Sequence, residues 1–301
     1  MNPVTQQGET GREVDQIKDV LGVYQPGSTH MVGDGFHVRN LFPSHDLDRQ
    51  VSPFLLLDYA GPTYYPPTNQ PRGVSEHPHR GFETVTIVYQ GVLEHRDSTG
   101  HAGTIGPGDV QWMTAASGVV HEEMHERAFA KRGGTLQAIQ LWVNLPGALK
   151  MSPPRYQTLL NSEIPVVHVE GGSVRVIAGE FQGVKGPAKT VTPIHLYDLR
   201  LRAGYRTELI LPAGHNTALF LLNGNAVLNG VQCLHEAELA VFGTTGERIA
   251  IEAKEDVIFL VLNGQSIDEP VARHGPFVMN TQDELIQAVK DNRMGKMGQL
   301  D

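Results

Sequence analysis

Four side chains that can bind a metal occur as two pairs, each with one residue between its members. His77 and His79 begin the stretch HPHRGFETVTIVYQG, and His121 and Glu123 follow later in GVVHEEMHE. Alternate residues of a β-strand point to the same face, so each pair can present both donors to one side. Three imidazoles and one carboxylate suit Fe, Mn, Ni, Cu or Zn. The spacing therefore predicts one metal site held by two crossing strands.

A second carboxylate competes for the acidic position of this site. If residues 77–89 form one extended strand, Glu83 shares a face with both histidines and with the apolar side chains that follow it. We expect Glu83 to lie beside the metal and to support a ligand by hydrogen bonding, with direct ligation as the alternative. Glu122 has the opposite parity to Glu123 and is expected to face away.

The other histidines of the N-terminal half are weaker ligand candidates. His95 and His101 flank the turn sequence DSTG, so we expect them to be exposed or hydrogen-bonded within a loop. His125 shares a face with His121 only if the strand continues, and Glu126 beside it indicates a solvated end. These three histidines are therefore not predicted as ligands.

Short β-type segments separated by Gly, Pro or Asn recur along the whole chain, and this pattern predicts a sandwich or barrel. TIVYQGVLEH and LFLLNGNAVLNG both have the order strand, glycine turn, strand, which suggests that two halves repeat one architecture. Residues 146–165 are rich in proline and poor in strand pattern. The predicted division is an N-terminal metal-binding unit over 28–145, a linker over 146–165 and a C-terminal unit over 166–297.

One helix is predicted near the C-terminus, over residues 282–293. Thr281 and Glu284 have the spacing of a capping box, which marks a helix start. Three apolar residues are expected to share its buried face: Leu285, Ile286 and Val289.

Composition argues against several classes of protein. The chain of 301 residues has a net charge of −9 and no basic cluster, which argues against direct nucleic-acid binding. Cys233 is the only cysteine, so no internal disulfide can form and a reducing cytoplasm is the expected location. The first 25 residues are not expected to be a signal peptide, and the apolar run VIFLVL is too short to span a bilayer. We expect a soluble protein.

Longer motifs around the two pairs resemble those of the pirin family, a branch of the cupin superfamily. They are PFLLLDYAGP, HPHRGFETVT, GDVQWMTAASGVVHEEMH and IDEPVARHGPFVMNT, and the resemblance covers residues 28–297. It implies an all-β bicupin, with two antiparallel jelly-roll β-barrels and a short C-terminal helix. It also implies one metal in the N-terminal barrel, bound by His77, His79, His121 and Glu123. In many other cupins the glutamate after His-x-His is a ligand, which keeps Glu83 as the alternative.

The C-terminal half lacks an equivalent set of ligands. His215 is followed by Thr217 where a second ligand would be expected, and His235 and Glu236 are adjacent instead of two apart. We therefore predict a metal-free C-terminal barrel, as the resemblance also implies.

The resemblance implies two candidate functions for the same ligand set. Some bacterial pirins are quercetinases, so the first is a quercetin 2,3-dioxygenase-type enzyme acting on a flavonol and dioxygen. Glu123 would remove the flavonol proton beside the metal. Eukaryotic pirins are described as nuclear cofactors of transcription, so the second is a metal- and redox-sensing regulator that binds a protein partner.

The expected cofactor is one divalent transition metal, Fe(II) by the resemblance, with Mn, Ni, Co, Cu or Zn as alternatives. Its four protein ligands would leave one or two positions open, as a catalytic or sensing site requires. Two barrels in one chain supply the pairing that single cupins obtain by dimerising, so a monomer is expected.

Overall fold

The computed structural model describes residues 16–43 and 47–300, which form two β-rich halves and a few short helices. Most of the first 25 residues, for which no signal peptide is expected, lie outside the described part. No helix among the described residues is long and apolar enough to cross a bilayer.

The strands up to residue 159 are, in chain order, β1 Val20–Tyr24, β2 His30–Val32, β3 Phe36–Phe42, β4 Phe54–Tyr65, β5 Gly73–His79, β6 Phe82–Gln90, β7 Leu93–Asp97, β8 Ala102–Ile105, β9 Val110–Thr114, β10 Val119–His125, β11 Gly134–Asn144 and β12 Arg155–Leu159. Helices α1 Asp48–Val51 and α2 Arg127–Arg132 lie between them, and two 3-10 turns follow at Gly147–Leu149 and Asn161–Glu163.

The strands after residue 165 are β13 Val166–Val169, β14 Gly172–Ala178, β15 Glu180–Phe181, β16 Val184–Lys185, β17 Ile194–Leu201, β18 Arg206–Ile210, β19 Asn216–Asn223, β20 Ala226–Leu228, β21 Gln232–Leu234, β22 Leu239–Phe242, β23 Arg248–Ala253, β24 Val257–Gly264, β25 Ala272–His274 and β26 Phe277–Met279. Helix α3, Gln282–Arg293, closes the described chain.

Each half packs a larger antiparallel sheet against a smaller one. In the N-terminal half the strand orders are β12-β9-β6-β11-β4-β3-β2 and β5-β10-β7-β8. In the C-terminal half they are β1-β22-β19-β24-β17-β14-β13 and β18-β23-β20-β21. The predicted all-β fold of two antiparallel units is confirmed. The predicted closed barrels are not found, because the larger and smaller sheets of each half share no strand pair among the described residues.

The two larger sheets pack face to face and bury an extensive apolar core between the halves. Val85 and Ile87 of β6 meet Phe220 of β19 and Leu262 of β24 in this core, and all four are almost fully buried. Because strand side chains alternate, the other face of β6 points into the N-terminal sandwich, where Val88 packs with side chains of the smaller sheet.

The two ends of the described chain cross to the opposite half. Strand β1 pairs with β22 in the larger sheet of the C-terminal half. Strands β25 and β26 pack on the N-terminal half, where Phe277 forms a bridge to Arg80. The predicted linker 146–165 includes β12, which pairs with β9. The halves are therefore joined by exchanged segments as well as by a packed interface.

Helix α3 confirms the helix predicted from its capping box. Thr281 Oγ1 accepts from the backbone nitrogen of Glu284, and the Glu284 carboxylate accepts from the backbone nitrogen of Thr281. Leu285 and Ala288 are buried, whereas Ile286 is 52% exposed. The prediction that Ile286 belongs to the buried face is wrong, because the helix packs through the row of Leu285 and Ala288.

A buried ion pair within the larger C-terminal sheet makes hydrogen bonds to the N-terminal half. Asp198 of β17 is fully buried and pairs with Arg175 of β14. The Tyr89 hydroxyl of β6 donates to Asp198 Oδ1 at 2.6 Å, and Arg175 donates to the Gly108 carbonyl. This network ties the C-terminal half to the first half at β6, the strand that follows the histidine pair.

Replacing Asp198 by Asn should destabilise the protein strongly. The change leaves the Arg175 guanidinium buried without its counter-charge, which costs about 3–5 kcal/mol of unfolding free energy. Chemical denaturation followed by far-UV circular dichroism measures this loss.

The matched control is Arg206→Gln, which removes one member of an exposed ion pair with Glu252 and should have a much smaller effect. Equal losses for the two variants would show that the Arg175–Asp198 pair does not anchor the interface.

Candidate metal centre

Three of the predicted ligands come together at the end of the smaller N-terminal sheet. Strands β5 and β10 are antiparallel neighbours, and His121 lies directly opposite His77 in their register. His79 follows two residues later on β5. One ring nitrogen from each of the three lies within 4.8 Å of the others, an arrangement that can hold a metal ion. Because β5 and β10 are hydrogen-bonded neighbours in one sheet, the imidazoles lie closer together than they would on two crossing strands.

Hydrogen bonds at Nδ1 leave Nε2 of these imidazoles free. His77 Nδ1 lies 2.8 Å from the Ser75 carbonyl, and His79 Nδ1 lies 3.4 Å from the Pro276 carbonyl. A carbonyl only accepts, so both Nδ1 atoms carry the proton and both Nε2 atoms keep a lone pair. His121 Nε2 is buried and has no hydrogen-bond partner among the described residues. A metal ion would satisfy this otherwise costly buried nitrogen.

The buried imidazoles are neutral, as metal ligands must be. Burial, and then the neighbouring His77, lower the pKa of His79 well below the usual range for histidine. The pKa of His121 is lowered in the same way, first by burial and then by His79, His77 and His95. A proton on His79 or His121 would place a charge on a buried ring next to other imidazoles, so the lone pairs of these two rings stay available.

Glu123 shares the pocket of the histidines but lies outside their close group. A register shift separates Glu123 from His121 on β10. The Thr86 hydroxyl lies 3.0 Å from Glu123 Oε1 and 2.7 Å from Gln140 Oε1, so its one proton is shared between two acceptors. The Glu123 side chain lines the same pocket as His77 and His79. The role of Glu123 as the fourth ligand remains a prediction.

A bend at Gly81 separates the histidine pair from the strand that follows it. Strand β5 ends at His79 and β6 begins at Phe82 in a different sheet. Gly81 has φ +90°, and a Cβ there would lie 1.9 Å from the Val278 carbonyl oxygen. Only glycine fits this approach. The assumption of one extended strand over 77–89 is therefore wrong.

Glu83 consequently faces away from the metal centre. It lies on the face of β6 that carries Val85 and Ile87, in the interface between the halves. Glu83 is fully buried, and its Oε1 accepts from the Thr114 hydroxyl at 2.6 Å. The expectation that Glu83 supports or binds the metal is wrong, because the bend reverses which side chains share the histidine face. Thr86, of the opposite parity, reaches the site instead.

His95 was missed as part of the site. It is 4% exposed on β7, opposite Glu123 of β10, and its Nδ1 lies 3.2 Å from His121 Nδ1. The expectation of a loop position gave too much weight to the following turn. The alternation in LEHRD was the available signal, because Leu93, His95 and Asp97 share the buried face of β7.

Three other polar residues near the histidines, Glu122, His125 and Glu126, have hydrogen-bond or ion-pair partners away from the site. Glu122 faces away as predicted and pairs with Arg96 at 2.5 Å. His125 is not at a solvated end, since it is 3% exposed and donates from Nε2 to the Gly35 carbonyl. Glu126 caps α2 through its carboxylate.

A pocket large enough for an aromatic ring opens at the histidines. It is lined by His77, His79, Glu123, Leu56 and Trp142, and the Trp142 ring contacts that of His79 with ring centroids 5.3 Å apart. Its volume of about 240 Å³ exceeds the cavity of roughly 150 Å³ that admits a benzene ring.

An inner cavity adjoins this pocket behind Glu123, and its volume of about 60 Å³ is too small for a ring. Asp58 of β4 and Gln140 of β11 line both spaces, and Thr86 of β6, the next strand, lines the inner one. An aromatic ligand would therefore occupy the outer space, beside the imidazoles and Trp142.

In the C-terminal half, His215 Nδ1 meets Asn263 Oδ1 at 3.1 Å, and Asn263 Nδ2 donates to the Thr217 hydroxyl at 2.9 Å. Across the described part of the chain, His77, His79 and His121 form the one group of at least three His, Cys, Asp or Glu side chains placed to hold a metal. The metal-free C-terminal unit remains a prediction.

Two family models match this chain, Pirin over residues 35–143 and Pirin C-terminal cupin domain over residues 196–298. A Pseudomonas aeruginosa protein named "Putative quercetin 2,3-dioxygenase PA2418" is 52% identical over 282 residues, which is 93% of this chain and 98% of that protein. Human Pirin is 37% identical over 273 residues, which is 88% of this chain and 89% of the human protein.

A solved structure shares the fold over nearly the whole chain. The crystal structure of quercetin 2,3-dioxygenase from Acinetobacter baumannii superposes with a TM-score of 0.92 at 46% identity, covering 95% of this chain and 100% of that chain. The two halves therefore have the cupin fold.

The stability of the protein should fall as the pH rises because of Glu83. Burial raises the pKa of Glu83 from 4.5 to about 7, so the folded state binds its proton more tightly than the unfolded state does. The neutral carboxyl contributes its full stability below pH 4.5, and this is lost as the pH rises through 7. The difference corresponds to about 3 kcal/mol.

Glu83→Gln should therefore flatten the pH dependence of the unfolding free energy between pH 5 and pH 8. Thr114→Val, which removes the hydrogen bond that favours the ionised form, should move the decline to higher pH. Denaturation curves at several pH values measure both, and a Glu83→Gln profile parallel to that of the wild type would contradict the assignment.

Proposed function

Because this chain belongs to the pirin family of cupin proteins, we propose that it is a metal-dependent quercetin 2,3-dioxygenase-type enzyme, which opens the central ring of a flavonol. The observation that carries the proposal is the convergence of His77, His79 and His121 beside a pocket of aromatic size that Glu123 also lines. The quercetin 2,3-dioxygenase names of the Pseudomonas and Acinetobacter relatives support the same substrate class.

The proposed ligands are His77, His79 and His121 through Nε2, with Glu123 as the fourth. The free Nε2 lone pairs of the three imidazoles are the observation that supports this set. Fe(II) is the proposed metal, and Mn, Ni, Co, Cu and Zn have compatible ligand preferences. When bound, the ion would supply Lewis-acid stabilisation of a phenolate and open positions for small ligands.

The pocket walls would bind and orient the flavonol. Leu56 and Trp142 provide apolar surface facing the imidazoles, and Pro276 borders the same space from the C-terminal segment. An aromatic ring placed against Trp142 buries its faces and excludes water from the reacting edge. The polar Asp58 and Gln140 at the floor can receive the hydroxyl groups of a polyphenol.

Glu123 is the proposed proton acceptor for the 3-hydroxyl group of the substrate. Its Oε1 lies 3.0 Å from the Thr86 hydroxyl, which leaves the other oxygen to take the proton from a phenol in the pocket. Removing this proton creates the anion whose charge the site is built to accept. Dioxygen then supplies both oxygen atoms that enter the product, and one carbon leaves as carbon monoxide.

The direct test is turnover with quercetin after anaerobic loading of the protein with Fe(II). We expect one carbon monoxide released for each dioxygen consumed, measured by an oxygen electrode and gas chromatography. His121→Ala should lose both metal loading and turnover, because the buried Nε2 donor is removed. His101→Ala, whose side chain is 48% exposed, is the matched control and should retain both.

Absence of carbon monoxide release with Fe, Mn, Ni and Co in turn would refute the enzyme. If the metal still bound, a metal-sensing regulator with a protein partner would be the function to test next, by pull-down with each oxidation state. Stoichiometric tight metal binding by His121→Ala would refute the ligand set.

Removal of the Thr86 hydroxyl should lower kcat about tenfold and change KM little, because the bond to Glu123 positions the base without binding substrate. Thr86→Val tests this by steady-state kinetics. Thr84→Val is the matched control, since Thr84 is buried on the same strand and its hydroxyl has no hydrogen-bond partner among the described residues. Equal kcat values for the two variants would contradict the role of Thr86.

A further inference from the structure

A buried chain of three side chains continues behind His121, away from the pocket. His121 Nδ1 lies 3.2 Å from His95 Nδ1, and His95 Nε2 lies 3.2 Å from Asp97 Oδ2. The side chains of His95 and Asp97 are each 1% exposed, and His121 is fully buried. No other histidine of the proposed ligand set has such a carboxylate-ended chain on its Nδ1 among the described residues, since His77 and His79 meet backbone carbonyls.

The hydrogen-bond partners of Asp97 determine where the proton of His95 lies. Asp97 Oδ1 accepts from the Thr99 hydroxyl at 2.6 Å and from the backbone nitrogens of Thr99 and His101. Its other oxygen faces His95 Nε2. A carboxylate surrounded only by donors accepts at both oxygens, so His95 carries its proton on Nε2 and leaves Nδ1 as an acceptor.

The proton of His121 is then determined in turn. The Gln111 side-chain nitrogen also lies 3.1 Å from His95 Nδ1, and because an amide nitrogen only donates, Gln111 and His121 share the single lone pair of that Nδ1. His121 must therefore donate from its own Nδ1, which leaves Nε2 bare on the side of His77 and His79. Tyr156 stacks on the His95 ring, with centroids 5.0 Å apart and planes inclined by 15°, and holds its orientation.

We propose that Asp97 and His95 are positioning residues that fix His121 in the Nδ1-protonated tautomer and so present its Nε2 to the metal. Hydrogen bonding to His95, and through it to the Asp97 carboxylate, also makes the His121 ring more basic and therefore a stronger metal ligand. The inference rests on the proposed function only in taking His121 as a ligand. It adds two residues, His95 and Asp97, that position this ligand and do not belong to the four-residue ligand set.

Asp97→Asn tests the chain because it reverses the direction of each hydrogen bond between residue 97, His95 and His121. The oxygen of the substituted amide can keep the bonds from Thr99 and His101, while the amide nitrogen donates to His95 Nε2. His95 then carries its proton on Nδ1, and His121 must accept at Nδ1 and move its own proton to Nε2. The variant keeps the size and shape of the side chain.

The first readout is the tautomer of His121 in the metal-free protein, from two-bond nitrogen–proton NMR correlations after labelling the histidines with nitrogen-15. The wild type should show His121 protonated at Nδ1, and Asp97→Asn should show it protonated at Nε2. A wild-type His121 protonated at Nε2 overturns the proposal even if the variant does not fold.

The second readout is metal affinity, measured by titration with Co(II) and followed by its visible absorption. Asp97→Asn should weaken binding about ten- to a hundred-fold. Thr99→Val is the matched control, because it removes a bond to the far oxygen of Asp97 and leaves the one facing His95 intact. Unchanged affinity and tautomer in Asp97→Asn would refute the chain.

These results are separable from the enzyme assay. A protein that shows the expected tautomers and Co(II) affinities but does not cleave quercetin would refute the proposed activity and retain the positioning role. Quercetin cleavage by the wild type, together with an unchanged His121 tautomer in Asp97→Asn, would support the proposed activity and refute the positioning role.

Discussion

The site depends on keeping three imidazoles in close contact at the edge of the smaller N-terminal sheet. Ring nitrogens of His77, His79 and His121 lie within 4.8 Å of one another, and two of the three rings are buried. This is tolerable only while the two buried rings stay neutral and each Nδ1 has a partner, because an unpaired buried nitrogen or a bare charge is costly. Ser75, Pro276 and His95 supply those partners.

The C-terminal segment completes a site whose ligands all come from the N-terminal half. The Pro276 carbonyl meets His79, and the carbonyl of Val278 approaches Gly81 so closely that no side chain fits there. Lys150 is buried between them and donates to the carbonyls of both Gly81 and Val278. The bend that places the histidines is thus held from outside the strand that bears them.

Helix α3 reinforces this arrangement through charge. Arg80, adjacent to His79, is buried and pairs with Asp291 of α3 at 2.9 Å, while its Nε donates to the Ser117 carbonyl at 2.7 Å. Arg80 connects the end of β5 to helix α3 and to the turn before β10. Strands β5 and β10 carry the ligands. Strand β1, from the start of the described chain, pairs with β22 of the C-terminal half, so each half contributes a segment to the other.

The sequence predicted the features that depend on short spacing. The two alternating pairs led to the histidine cluster, and the capping box at Thr281 and Glu284 led to the bounds of α3. Both rest on local rules of strand alternation and helix capping, which act over a few residues within one element.

The features that the sequence did not predict depend on contacts between distant segments. Gly81 bends the chain because Val278 packs against it, and this bend moved Glu83 to the interface and brought Thr86 to the site. His95 is buried because β7 pairs with β10, although a turn follows two residues after it. The exposure of Ile286 depends on which side of α3 meets the N-terminal half.

The most direct test of the account is an anomalous difference map, collected at the iron absorption edge from crystals loaded with Fe(II). We predict one strong peak in the N-terminal half, within bonding distance of Nε2 of His77, His79 and His121. No peak at the three histidines in fully loaded crystals, or a peak bonded to Nδ1 of any of them, would contradict the account.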